Sequence, residues 1–182
     1  YLIYAGTLGD NYDVQSIINC AIKVKEHNLD VHIYIAGDGN LRQYVIDSIA
    51  HHNLSSTTYL GRINPEELVF YYQKSQLALS TYSKDSTVSM PIKAFDYFAA
   101  GLPLLNSLGM DLGEMVKEHK LGMNYEPGNA EDLFDKIIYL RNNIELLKEM
   151  KLNCLEIAKQ LDESKIYKDY VEFCKNIYTN EI

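Results

Sequence analysis

Leu2-Ile-Tyr-Ala-Gly-Thr-Leu-Gly-Asp10 joins a short apolar run to a glycine-containing loop, and from Val14 to about Glu26 the residues Val14, Ile17, Ile18, Ala21 and Ile22 recur at helical spacing. This is a strand, a loop and a helix in succession. The same unit returns along the chain. Val31–Ala36 is a second strand closed by Gly37-Asp-Gly39, and Leu41, Val45, Ile46 and Ile49 mark a second helix. Thr57–Leu60 is a third strand closed by Gly61-Arg62, and Pro65 opens a helix to about Lys74. Leu77–Ser80 is a fourth strand, followed by the loop 82–88. Leu104–Leu105 and Met123–Tyr125 are expected as short strands, with helices from Leu112 to about His119, Ala130 to about Arg141 and Glu145 to about Gln160. Strands alternating with helices over short connections predict an α/β domain, a doubly wound, Rossmann-like parallel sheet covered on both faces. Ligands of such sheets sit at the carboxyl ends of the strands. The loops 6–10, 37–39, 61–64 and 82–91 all follow strands and should converge there.

The totals agree with one soluble domain. A chain of 182 residues can bury one full core, and 47% hydrophobic with 23% charged residues is an ordinary globular composition. A formal net charge of −8 argues against nucleic acid as the main partner, while leaving room for a local basic pocket. Cys20, Cys154 and Cys174 are far apart and fall in helical patterns, so buried free thiols in a reducing compartment are expected. The five histidines show no ligand spacing, and no metal or other cofactor is expected. No apolar run approaches 18 residues. Tyr1 opens directly into a strand, so the chain reads as a piece of something longer.

Ser89-Met-Pro-Ile-Lys-Ala-Phe-Asp-Tyr-Phe-Ala-Ala-Gly-Leu-Pro103 carries the chemistry. Ser89 reads as an N-cap, Pro91 as a first-turn residue, and Gly101 and Pro103 as the stop. Lys93 in the first turn faces the positive end of the helix dipole, a cost of roughly 0.3–1 kcal/mol that an anion would remove. Free helix N–H groups together with Lys93 suit a phosphate, and Asp96, one turn deeper on the same side, suits a sugar diol. The plain alternative is a surface Lys–Asp pair. Ala94, Phe95, Phe98 and Leu102 should form the core face. Gly6-Thr7-Leu8-Gly9 lacks a full GxGxxG, so it is either a turn that brings N–H groups to a phosphate or a tight connection. Gly37 fits a permissive turn first and a ligand lining second. Arg62 either faces a phosphate or is solvated.

These residues resemble the donor-site signature of retaining GT-B glycosyltransferases, the family 4 or group 1 type of bacterial polysaccharide enzymes. Pro91, Lys93, Tyr97, Ala99, Gly101 and Pro103 fall on the pattern, with Asp96 where the family has glutamate. Tyr4-Ala-Gly-Thr-Leu-Gly9, Ile35-Ala-Gly-Asp-Gly39, Leu60-Gly-Arg62 before Pro65-Glu-Glu-Leu68, and Pro127-Gly-Asn-Ala-Glu-Asp-Leu133 agree in order. The resemblance implies the C-terminal half of such an enzyme, with residues 1–160 as a nucleotide-sugar-binding domain. It implies that residues 161–182 form a helix packing on an N-terminal domain absent from this chain, which accounts for the stripe Ile166, Tyr170, Phe173, Cys174 and Ile177 with Tyr167, Val171 and Tyr178 beside it.

By position, the resemblance implies that Asp96 holds the ribose and that Ser89, Met90 and Pro91 offer backbone N–H groups to the diphosphate or sugar. Gly6, Thr7 and Gly9 approach the diphosphate, Gly37 lines the donor site, Arg62 and Ile63 line the base, and Lys93 and Arg62 neutralise the leaving group without a metal. It further implies a UDP-sugar before a GDP-sugar, and a glycan or lipid-linked glycan acceptor reached through the missing half. The location implied is cytoplasmic, with peripheral attachment to the inner face of a membrane. Departures are visible. Val88 stands where the family commonly has a first glutamate, Asp96 is shorter than glutamate, and Asp10-Asn-Tyr-Asp13 lacks the usual basic residue. Two alternatives follow: a UDP-sugar 2-epimerase of GT-B fold, and a non-catalytic GT-B partner domain.

Overall fold

The computed structural model describes residues 1–162, 164, 167, 168, 170–172, 174 and 175. Six strands form one all-parallel sheet: β1 (Leu2–Ala5), β2 (Ile33–Ala36), β3 (Thr57–Gly61), β4 (Leu77–Ser80), β5 (Leu104–Asn106) and β6 (Gly122–Asn124). Their spatial order is β3-β2-β1-β4-β5-β6. The chain winds outward from β1 in one direction, then restarts at β4 and winds in the other. The β1/β4 seam is therefore the topological switch point, where open α/β sheets bind ligands. Within residues 1–162 the strands are connected and covered by seven helices: α1 (Val14–Glu26), α2 (Arg42–His51), α3 (Pro65–Lys74), α4 (Ile92–Ala99), α5 (Met110–Glu118), α6 (Ala130–Asn142) and α7 (Ile144–Gln160).

Two-residue alternation divides the core between the faces. Leu2, Tyr4, Ile33, Ile35, Leu77 and Leu79 pack with Val14, Ile17, Ile18 and Ala21 of α1 and with Leu133 and Ile137 of α6. Ile3, Ala5, Tyr34 and Ala78 point the other way, onto Tyr72 of α3, Ala94, Tyr97 and Phe98 of α4, Leu112 and Val116 of α5, and Cys154 and Ile157 of α7. Both faces of every central strand are buried, which is why the strands read as unbroken apolar runs. Helix starts are chemically marked. The Asp13 carboxylate accepts the Ser16 N–H at 3.0 Å, and Asn64 and Glu67 form a reciprocal capping box ahead of Pro65.

Some local expectations are corrected. The β2 strand begins at Ile33 rather than Val31, because the Val31 N–H turns back to the Leu29 carbonyl. Ser89 is not the N-cap of α4. Pro91, with extended backbone angles, occupies that position without a side-chain cap. The Ser89 hydroxyl instead donates to the Asp111 carboxylate at 2.7 Å and accepts the Asp111 N–H, fastening its loop to α5. Phe95 is only half-buried, and Tyr97 takes the core place expected of it. Cys20 and Cys154 are buried free thiols, whereas Cys174 is exposed. Past α7, the described residues from Ser164 to Lys175 are helical, with Tyr167, Tyr170 and Val171 exposed. Ile166, Phe173, Ile177 and Tyr178 of the expected stripe lie outside the described residues. No helix among the described residues is long and apolar enough to cross a membrane.

Candidate functional site

A cleft of about 450 Å³ opens at the carboxyl ends of β1, β2 and β3, against the side of α4. Its lining joins Gly6, Thr7, Gly37, Arg62, Ile63, Lys93 and Asp96, seven residues that the sequence had singled out in four separate segments. It adds Ala5, Ala36, Asp38, Leu68 and Tyr72, to which the sequence gave no role in a site. Gly9, Ser89, Met90 and Pro91 are not among its lining residues. Gly9 lies past the turn beside Asn40, Ser89 is engaged with Asp111, Met90 packs against the core and Pro91 is buried.

The two glycine loops explain the shape of one wall. The Gly6 N–H bonds to the Ala36 carbonyl and the Leu8 N–H to the Asp38 carbonyl, so the loop after β1 runs along the loop after β2. A Cβ added to Gly37 would lie 1.8 Å from the Gly6 carbonyl oxygen, and one on Gly39 would lie 2.2 Å from that of Leu8. Gly37 is thus both a cleft lining and a steric requirement, because the neighbouring backbone occupies the space a side chain would need. The Tyr59 hydroxyl holds the Gly37 carbonyl at 2.9 Å, and the Asp38 carboxylate accepts the Gly39 N–H.

The opposite wall is α4. Tyr97 anchors it at its core side. The phenol accepts the Ala5 N–H at 2.9 Å and donates to the Ala5 carbonyl at 3.1 Å, tying α4 to the end of β1. The first turn of an α-helix leaves N–H groups without intrahelical partners, and no side chain caps this one. Lys93 lies in that turn. Its ammonium nitrogen is buried with no hydrogen-bond partner among the described residues, and burial lowers its pKa from 10.5 to about 7. The ring centroids of Tyr82, Tyr4 and Tyr12 stand 4.5, 4.8 and 4.9 Å from it. Lys93 and Asp96 both line the cleft but do not pair with each other. Asp96 is exposed at the mouth, and partial burial raises its carboxyl above the usual value. Beside it the Tyr72 hydroxyl is held protonated by burial and by the Asp96 charge.

The arrangement offers a helix N-terminus, one buried cation, one exposed cation at Arg62, a carboxylate and an apolar flank of Ile63 and Leu68. That set fits a ligand with anionic, diol and planar parts. The tyrosine cage was not foreseen. Its members come from β1, the loop after it and the segment after β4, so no local pattern announces it.

The model of glycosyl transferases group 1 matches residues 1–156 of this chain. An uncharacterized glycosyltransferase of Methanocaldococcus jannaschii is 29% identical over 138 residues, which cover 76% of this chain and 38% of the relative. The chitobiosyldiphosphodolichol beta-mannosyltransferase of Candida glabrata is 21% identical over 150 residues, covering 78% and 33%. The chain thus spans about a third of the length of these relatives. Among solved structures, Anabaena HepE in complex with UDP matches with a TM-score of 0.78 at 16% identity, covering 96% of this chain and 48% of that one. The C-terminal domain of a group 1 glycosyl transferase from Francisella tularensis matches with 0.73 at 14%, covering 87% and 84%. Sucrose-phosphate synthase from Thermosynechococcus elongatus matches with 0.79 at 16%, covering 98% and 45%. With its sheet, its switch-point cleft and the motif order all in agreement, this chain belongs to the group 1 glycosyl transferases and has the Rossmann-like fold of GT-B enzymes.

Proposed function

We propose that the cleft binds a nucleoside-diphosphate sugar, UDP-linked before GDP-linked, as the donor half of a retaining hexosyltransferase of the family 4, bacterial polysaccharide type. The observation that carries the reading is the joining, at the β1/β4 switch point, of the open N-terminus of α4 with Lys93, Asp96 and Arg62. In this role the α4 N–H groups and Lys93 hold the diphosphate, and Asp96 accepts hydrogen bonds from the ribose diol. Ile63 and Leu68 flank the base, with Arg62 at its phosphate side. The glycosidic carbon–oxygen bond of the donor breaks toward the diphosphate, and Lys93 and Arg62 oppose the charge that develops there. The acceptor hydroxyl attacks from the same face and passes its proton to the leaving phosphate, so no side-chain base is required. A glycan or lipid-linked glycan acceptor is held by a further domain that also receives the helix after residue 161. The whole enzyme is cytoplasmic and rests peripherally on the inner face of a membrane.

Calorimetric titration of the 182-residue chain with UDP, GDP, ADP and CMP, without metal, tests the reading. UDP-selective binding weakened tenfold or more by Lys93→Ala is expected, with no sugar transfer by this chain alone. Binding indifferent to Lys93→Ala, or turnover by the chain itself, overturns the assignment. A non-catalytic partner domain is the second reading, favoured by Val88, which is exposed and whose side chain offers no hydrogen bond where the family pattern has a carboxylate. Val88→Glu separates the two: tighter sugar-nucleotide binding marks a decayed site, weaker binding a specialised one. No histidine lines the cleft, which leaves the 2-epimerase reading without its acid–base pair.

A further inference from the structure

Lys93 is enclosed in a way that holding a phosphate does not by itself require. Its nitrogen sits among three tyrosine rings drawn from three segments, Tyr4 on β1, Tyr12 on the following loop and Tyr82 after β4. The rings of Tyr12 and Tyr82 pack on each other with centroids 5.0 Å apart. The backbone of Tyr82 is fixed by Ser107, whose hydroxyl accepts the Tyr82 N–H at 2.7 Å and donates to its carbonyl at 3.0 Å. Ring faces attract a cation, but they replace none of the three hydrogen bonds an ammonium makes with water.

Among the described residues, no carboxylate pairs with this ammonium. On the loop after β1, Asp13 is committed to the Ser16 and Gly128 N–H groups and Asp10 to the Asn40 amide. Asp96 on α4, with Asp38 and Arg62 across the cleft, lines the same space without bonding to Lys93. Lys84 and Asp85, beyond Tyr82, are exposed. Burial holds the Tyr4 and Tyr82 hydroxyls well above their ordinary range, so these two cage members stay neutral. The neutral amine is therefore an accessible state of Lys93 near neutral pH, and an anion placed at the cleft floor favours the charged one.

Resting on the donor-site reading, we propose that Tyr4, Tyr12 and Tyr82 are positioning residues that make Lys93 take up a proton from solvent when a nucleoside-diphosphate sugar enters the cleft. The balance is simple. The neutral Lys93 amine plus one proton from the buffer gives the ammonium that faces the diphosphate, and the proton returns to solvent when the nucleotide leaves. Sugar-nucleotide affinity then falls as pH rises through the slightly alkaline range, because each binding event must draw a proton from a scarcer supply.

The test is calorimetry of the 182-residue chain with UDP-glucose and GDP-mannose, run at pH 8 and pH 6 in buffers of different protonation enthalpy. The slope of observed heat against buffer enthalpy counts the protons taken up. About 0.9 proton per nucleotide is expected at pH 8 and about 0.1 at pH 6, from the titration of one group near pH 7. Lys93→Met should reduce the slope to zero. Tyr12→Leu with Tyr82→Leu, checked for native circular dichroism, should let water reach Lys93 and bring the slope near zero while binding persists. The Phe variants at both positions keep the rings and should keep the slope. Wild-type binding with zero slope at pH 8 overturns the inference and leaves the donor site standing, and full uptake in the Leu variants overturns the role of the cage. Absence of binding by both sugar nucleotides at both pH values overturns the donor reading and this inference with it.

Discussion

The cleft wall made by the loops after β1 and β2 is backbone pressed on backbone, whereas the wall made by α4 is held to the domain by side chains. On the first wall, the N–H groups of Gly6, Leu8 and Leu41 are bonded to carbonyls of the facing loop, and the glycines leave no free volume between them. On the second, Tyr97 and Ser89 fasten the helix and its leading loop at two points, and the buried ammonium nitrogen of Lys93 between them has no hydrogen-bond partner among the described residues. The first wall is fixed by sterics and tolerates nothing added. The second is fixed by a few polar contacts and carries an electrostatic cost that its ligand can relieve.

Gly37→Ala should break the first wall outright. The new Cβ meets a carbonyl oxygen at 1.8 Å, where no flexible side chain can yield, at a φ of 141° that disfavours alanine. A loss of about 4 kcal/mol or more, read from urea midpoints, is expected. A midpoint within error of wild type would show that the two loops are not locked together.

Lys93→Met should act in the opposite direction on the second wall and stabilise the domain at pH 7. The folded pKa of Lys93 lies near 7, below 10.5, so between those values the unfolded chain binds more protons than the folded one. Wild-type stability from this group therefore rises with pH across that window. The advantage of Met is largest at or below pH 7, on the order of 3 kcal/mol with a ceiling of about 5 from the pKa difference, and fades toward pH 10.5. Urea unfolding of both proteins at pH 7 and 9.5 measures the convergence, and parallel curves would show that Lys93 keeps its ordinary affinity for a proton in the folded domain, against the downward shift that its burial predicts.

Tyr97→Phe removes the partner of both the Ala5 N–H and its carbonyl, at a cost of about 2 kcal/mol, with amide exchange at Ala5 accelerated. Ser89→Ala should cost less, about 1 kcal/mol or under, because the Asp111 carboxylate it releases is exposed and can be solvated. If Ser89→Ala proved the more damaging of the two, the second wall would be hung from its loop and not from its core.

The contrast also marks what was legible in the sequence. Strand and helix positions follow from local periodicity and from Gly, Pro and Asn punctuation, so β1, α1, α3 and β4 could be bounded without coordinates. The cleft residues came from segments that follow strands, and a parallel sheet must bring those segments to one edge. What escaped depends on partners distant in the chain. Ser89 looks like a helix cap until Asp111, 22 residues away, claims its hydroxyl. Gly37 looks merely permissive until Gly6 is laid against it. Tyr4, Tyr12 and Tyr82 look like core tyrosines, and only their convergence on Lys93 gives them a chemical role.

The Tyr97 phenol has one further consequence. β1 and β4 pair only at Leu2↔Leu77 and Ile3↔Ala78, while β1 and β2 stay paired through Ala5↔Ala36. Past Ile3 the two central strands diverge, and the edge of β1 would be left bare toward the gap. One aromatic side chain stands in for the missing strand there, presenting an acceptor and a donor where a neighbouring peptide would have presented the same. It works as a shim that keeps the sheet parted at its seam without leaving the parted edge unsatisfied, so the width of the opening belongs to position 97 as much as to the loops around it.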